Sequence, residues 1–274
     1  MKDLKIPYCV HFHGVDASKY FSSKIYLDEI RKVFINAFKV VVMSNHIKRR
    51  LILAGCKEEK ISLVPVAKYF ENDLPQCNWA FRKRNLPSIL SIGRLVEKKN
   101  PLALLYAFKI VKEKIPEAIL TFIGDGPLKN ELESRIIQLN LTKSVHLLGA
   151  LEHKLAMQYF KSHWVYAQHC CTASNGDQEG FNNTMVEAAS CGLPIVSTFH
   201  DGIPENVDNG ENGFLVSEYD FEAMAEKIII LLNDTDLAEK MGQNGFKKYQ
   251  KGFGVEIRVE RIANLLKSSM NESL

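Results

Sequence analysis

The chain has 274 residues, 46% hydrophobic and 24% charged, which is enough apolar mass for one large or two small packed domains and argues against a disordered tail. The net charge of +3 is unevenly spread: residues 1–85 hold 16 Lys/Arg against 8 Asp/Glu, and the remainder 19 against 24. This asymmetry points to an anionic partner for the first third, such as a membrane surface. No apolar run approaches the ~18 residues of a membrane span, and the basic third lacks the aromatic interleaving of a nucleic-acid binder.

In chain order, 6–12 reads as a strand, 25–38 as a helix and Val40-Val41-Val42-Met43 as the next strand. Ser44 is placed to cap a helix that Gly55 ends, and 61–66 is again strand-like. Residues 67–87, with Pro75 and Pro87 and no clear period, read as a linker. A second series follows, with strands at 88–93, 118–123, 145–148, 164–168, 194–197 and 213–216. Helical patterns at 101–114, 127–139, 152–161 and 183–191 separate them, and Asp220 opens another. Alternating strands and helices predict an α/β chain with a parallel, doubly wound sheet. The expected division is 1–85 as a partial N-terminal domain and linker, 86–252 as a complete Rossmann-like domain, and 253–274 as a helix returning toward the N-terminal part.

Ligands of such sheets bind beyond the carboxyl ends of the strands, so loops after strands are the places to look. Arg94 and Lys99 follow the first strand of the second series, and both can reach one anion there. Gly124 and Gly126 follow the next strand, in a turn that is not the dinucleotide GxGxxG fingerprint. The segment Glu179 to Ser197 is the most informative. Glu179 precedes Gly180 and Phe181, Asn182 or Asn183 can cap the next helix, and Glu187 stands eight residues after Glu179. Free amides at a helix start suit a diphosphate, and nearby carboxylates suit sugar hydroxyls. His11-Phe12-His13 has the spacing of two metal ligands, but histidines 46, 146, 153, 163, 169 and 200 form no second motif, so no metal is expected. Six cysteines, at 9, 56, 77, 170, 171 and 191, form no CxxC pair, and residues 1–5 carry no apolar leader; both fit a cytoplasmic setting.

The E-x7-E pattern at Glu179 and Glu187, within SNGDQEGFNNTMVEAASCGLPIVSTFHDGIPE, resembles retaining glycosyltransferases of the GT-B type. These are family 4 of the sequence-based classification, the glycosyl transferases group 1. The segments HFHGVDAS, VVMSNHIKRRLILAGCKEEKISLVP, IGRLVEKKN and FIGDGPL resemble further parts of that family in the same order. The context is similar to bacterial enzymes of exopolysaccharide and lipopolysaccharide assembly. The resemblance implies transfer of a sugar, of hexosyl type, from a nucleotide-diphosphate donor (UDP- or GDP-linked) to a glycan or lipid-linked acceptor, with retention and without a cofactor or metal. It implies that Arg94 and Lys99 hold the diphosphate, Glu187 the ribose, and Glu179 with the backbone of Gly180 and Phe181 the donor sugar. His13 would face that sugar across an interdomain cleft, possible contact with the inner face of the cell membrane falling to the basic first third. Against the family pattern the chain begins close to the His-Gly strand. An incomplete N-terminal domain is therefore expected, with activity depending on a missing fragment, or else a non-catalytic nucleotide-sugar-binding remnant.

Overall fold

The structure, a computed structural model, describes residues 7–67 and 78–271. Residues 1–6, 68–77 and 272–274 lie outside the described residues, the second span holding Cys77 and part of the expected linker.

The first unit is a parallel sheet of β1 (Cys9–Phe12), β2 (Lys39–Val42) and β3 (Ile61–Leu63), in the order β1-β2-β3. The crossovers are α1 (Lys24–Asn36) and α2 (Asn45–Leu53). Ser44 caps α2, its hydroxyl accepting the amide of Ile47 at 3.2 Å. Part of the basic character of this unit is paired locally: Arg31, Lys32, Lys48 and Lys57 pair with Asp28, Glu29, Glu58 and Glu59.

Helix α3 (Trp79–Arg82) occupies part of the segment that reads as linker, with Trp79 and Arg82 buried. An amphipathic period cannot show in a helix this short, which is why the sequence pattern misses it. The second unit then runs β4 (Ser88–Ile92), α4 (Pro101–Lys114), β5 (Ile119–Ile123), α5 (Lys129–Gln138), β6 (Val145–Leu147), α6 (His153–Ser162) and β7 (Val165–Ala167). It continues through α7 (Asn183–Ser190), β8 (Ile195–Thr198), α8 (Ile203–Asn206), β9 (Gly213–Val216), α9 (Phe221–Asn233) and α10 (Thr235–Gly252). All strand pairs are parallel, in the order β6-β5-β4-β7-β8-β9. The chain thus reverses its direction of winding between β4 and β7, where a doubly wound sheet opens a ligand crevice.

Successive strand residues point to opposite faces, and the packing obeys this. Ile89, Val165, Val196 and Val216 join one core with α4, α9 and α10. Their neighbours Leu90, Tyr166, Ile195 and Leu215 join the other core with α6 and α7. That second core is continuous with Phe12, Phe34, Val40 and Val42 of the first unit, so the two sheets share apolar packing. The last helix, α11 (Val255–Asn271), lies against the end of β3: Arg258 Nη1 donates to the carbonyls of Val64 at 3.1 Å and Pro65 at 2.6 Å.

Arg82, 1% exposed, is among the largest almost wholly buried side chains of the described residues. Its guanidinium donates to Gly192 O at 3.0 Å, Cys191 O at 2.5 Å and Phe160 O at 3.0 Å, stacking on Trp79. The carbonyls at the ends of α6 and α7 lack partners within their own helices, and a cation is the favoured cap there. We expect Arg82→Met to destabilise the protein by about 2–5 kcal/mol, because the carbonyls keep their burial and lose their donors. A chemical-denaturation midpoint unchanged from wild type would show that these carbonyls find other partners.

Two buried histidines give a pH signature. Burial holds His163 and His169 at about 4, below the ordinary 6.5. His163 sits between the Tyr159 carbonyl and the Thr121 hydroxyl. A depressed histidine means that the unfolded chain binds more protons, so stability is full above 6.5 and falls as pH drops toward about 4. Denaturation midpoints measured across that window should fall in the wild type, with a shallower slope in His163→Gln.

Candidate active site

The loops that follow β4, β5 and β6 and the start of α7 meet at the carboxyl ends of the strands. They form a cleft of about 500 Å³ lined by Gly93, Arg94, Gly124, Asn183, Thr184 and Glu187, among others. Gly124 is required there: its φ is +142°, and a Cβ would lie 1.9 Å from the carbonyl oxygen of Gly93. The amides of Gly124 and Gly126 are already used, donating to Gly149 O and to the Asp125 carboxylate. These glycines therefore serve close backbone approach and offer no hydrogen bonds to a ligand.

The start of α7 is built differently. Asn182, 1% exposed, accepts the amide of Met185 and the hydroxyl of Thr184 on its Oδ1. Its Nδ2 donates to Gln168 Oε1 at 2.5 Å. Asn182 is thus committed to capping, while the amides of Gly180, Phe181, Asn182, Asn183 and Thr184 find no acceptor among the described residues. The Phe181 ring is core, packed on Phe253. Glu187 is 4% exposed, lines the cleft and pairs with His153 Nε2 at 3.0 Å.

The remaining site residues form a second cluster beside the cleft. Lys99 Nζ lies 2.6 Å from Glu179 Oε2 and donates to Gln168 Oε1 at 2.9 Å. Burial alone would push the Lys99 ammonium down, but the Glu179 carboxylate beside it holds it above its usual range. Lys99 and Glu179 therefore form a neutral pair, whereas Arg94 is exposed and makes no ion pair among the described residues. His13 comes from the end of β1 in the other unit, in a turn fixed by Asp16, whose carboxylate accepts the amides of His13 at 3.0 Å and Gly14 at 2.8 Å. That turn meets the Glu179 loop closely: a Cβ on Gly180 would lie 3.1 Å from Gly14 Cα and 2.9 Å from Ile47 Cδ1. Further links across the two units run from the amides of Asn45 and His46 to Glu205, from His46 to Asp201, and from Arg50 to Gln178.

Gln168 joins the two clusters. It is 2% exposed, and it bonds Lys99, Asn182 and the carbonyl of Ile92. Sequence reasoning passes over it, although a polar residue immediately after an apolar strand of a parallel sheet is a signal for it. Asp16, His153, His200 and Glu218 were also missed; their partners lie far away in the chain or in a loop with no period.

The comparisons with known proteins give the family and the fold. The profile of the family Glycosyl transferases group 1 matches residues 79–248, more than half of the chain. The chain is 27% identical over 262 residues to the putative colanic acid biosynthesis glycosyltransferase WcaL of Escherichia coli, covering 94% of this chain and 63% of that protein. It is 28% identical over 270 residues to the capsular polysaccharide biosynthesis glycosyltransferase CapM of Staphylococcus aureus, covering 94% and 68%. Among solved structures, HepE of Anabaena in complex with UDP and glucose superposes with a TM-score of 0.81 at 23% identity, over 96% of this chain and 72% of that one. The sucrose-phosphate synthase of Thermosynechococcus elongatus gives 0.82 at 21% identity, over 99% and 70%. The fold is of the GT-B type, and the matched span runs from α3 through most of α10 and so takes in the whole six-stranded sheet with its crevice: the chain belongs to the glycosyl transferases group 1 family.

Proposed function

We propose that the protein transfers a hexosyl unit from a nucleotide-diphosphate sugar to an acceptor hydroxyl, with retention, in cell-surface polysaccharide or lipid-linked glycan synthesis. The observation that carries this reading is the run of unpaired amides at the start of α7, of which Asn183 and Thr184 line a cleft that also holds Arg94 and Glu187. A helix start concentrates partial positive charge and suits a phosphate. Arg94 adds a full charge with no carboxylate paired to it among the described residues, and can grip phosphate oxygens in pairs. The Glu187 carboxylate accepts from ribose hydroxyls. Glu179 and the amides of Gly180 and Phe181 take the donor sugar, with His13 facing it from the first unit.

Breaking the donor bond leaves a diphosphate whose charge grows along the reaction. Positive groups already fixed in a partly dry cleft stabilise that charge without having to reorganise. Lys99 contributes less net charge than the sequence pattern suggests, because Glu179 neutralises it; its second task is to aim that carboxylate. The helix start and Arg94 together take the place of a metal ion, and no cofactor is needed.

The relatives support the class of donor and acceptor. HepE is seen with UDP and glucose, and a Corynebacterium glutamicum relative, 27% identical over 273 residues, is a GDP-mannose-dependent mannosyltransferase of a phosphatidylinositol monomannoside. The chain spans 63% of the length of its WcaL relative, so the activity is proposed for this polypeptide as a part of that larger pattern. A lipid-borne acceptor would bring the basic first third to the inner face of the membrane.

Calorimetric titration with UDP, GDP and ADP checks the nucleotide site. Glu187→Gln and Glu187→Ala should each weaken binding about 10-fold, the loss expected for a charge-assisted hydrogen bond to ribose. Equal affinities in wild type and variants would remove Glu187 from that role. Arg94→Ala, at an exposed position, should leave the fold intact and lower donor turnover by about 10²–10³. Affinity and turnover should both survive a chelator; their complete loss would mean that a divalent ion shares the site.

A further inference from the structure

The loop that carries Glu179 is pinned at both ends by two residues that take no part in the proposed donor chemistry. His200 follows β8 and is 2% exposed. Its Nε2 lies 3.1 Å from the amide nitrogen of Glu179, and its Nδ1 lies 2.6 Å from Glu218 Oε1. An amide N–H can only donate, so Nε2 is the bare acceptor and the ring proton sits on Nδ1, donated to Glu218. The other oxygen of Glu218 accepts the amide of Thr172 at 3.0 Å. Thr172 opens the loop and Glu179 closes it, so one carboxylate and one imidazole hold its two ends to the edge of the sheet near β8 and β9.

The middle of the loop is fixed by other groups. Glu97 accepts the amide and hydroxyl of Ser174, and Lys98 reaches Asp177 and the Gln178 carbonyl. None of these touches the backbone of Glu179. Among the described residues only His200 hydrogen-bonds it, immediately before the run of free amides begins and where the side chain leaves to meet Lys99.

We propose that His200, as the neutral Nδ1–H tautomer held by Glu218, is a positioning residue that sets the direction of the Glu179 carboxylate and thereby recognition of the donor sugar, while leaving the nucleotide to Glu187 and the helix start. This rests on the reading of Glu179 as a sugar-binding residue. Removing the imidazole frees one amide and lets the end of the loop shift relative to Lys99. Gln at this position restores an acceptor near the place of Nε2.

The test titrates the full chain with UDP and GDP and with UDP-glucose, UDP-N-acetylglucosamine and GDP-mannose, carrying forward whichever sugar binds. The set is wild type, Glu179→Ala, His200→Leu, His200→Gln and Glu218→Ala. In His200→Leu and Glu218→Ala, Kd for the nucleotide should stay within about 2-fold of wild type while Kd for the nucleotide sugar rises about 5- to 10-fold, the scale of one lost hydrogen bond. His200→Gln should recover most of that loss. Nitrogen-15 imidazole spectra of the wild type should show a neutral Nδ1–H ring that disappears in His200→Gln. An unchanged nucleotide-sugar Kd in His200→Leu and Glu218→Ala, with Glu179→Ala weakened, overturns the positioning role and leaves the site reading standing. Equal loss of nucleotide and nucleotide sugar, failure of Gln to rescue, or an Nε2–H ring also overturns it. If Glu179→Ala binds as wild type does, or no nucleotide sugar binds at all, the site reading itself falls and takes this inference with it.

Discussion

Asn182 Oδ1 accepts the amide of Met185, and that one cap decides where the backbone stops bonding to itself. The amides from Gly180 to Thr184 have no acceptor among the described residues, and Asn183 and Thr184 line the cleft. The cap is itself held, because Asn182 Nδ2 is tied to Gln168 and Gln168 to the end of β4. At the other end of the same helix Arg82 collects the last carbonyls. An eight-residue helix is too short to be stable alone, so its ends must be specified by side chains brought from elsewhere. The polar site and the stability of the fold are therefore built on the same few bonds.

Charge in the site is distributed by burial. A buried cation is costly unless paired, and Lys99 is paired with Glu179 inside the protein. The pair contributes geometry and little net field. Arg94 pays no such penalty because it stays in water at the mouth of the cleft, and its charge remains available. Glu187 sits between these cases, nearly buried but bonded to an exposed imidazole that a competing hydroxyl can replace.

The two sheets meet where the backbone comes closest. Gly180 lies so close to Gly14 and Ile47 that a side chain there would force them to shift, Glu205 caps the start of α2 from across the boundary, and the apolar cluster runs through without a break. This close contact brings His13 beside the Glu179 loop. It also makes the position of that loop sensitive to groups on either side, from Arg50 in one sheet to His200 and Glu218 in the other.

The sequence by itself determined the parallel α/β class, the six strands of the second unit, and most of the crossovers. Strand and helix periods are local and survive any packing. It also marked Glu179, Glu187, Arg94 and a cap at Asn182 or Asn183, because loops after strands can be located from the strands alone. It could not show that Asn182 is saturated, that the glycine amides at 124 and 126 are occupied, or that Lys99 is neutralised, since each depends on a partner beyond its own turn. The tertiary structure alone decided the roles of Arg82, Gln168, His200 and Glu218. Arg82 finds its carbonyls 78 to 110 residues away and Glu179 finds His200 21 residues on. Hydrogen bonds at such separations are set by how parallel strands stack side by side, and no periodicity in the chain records that.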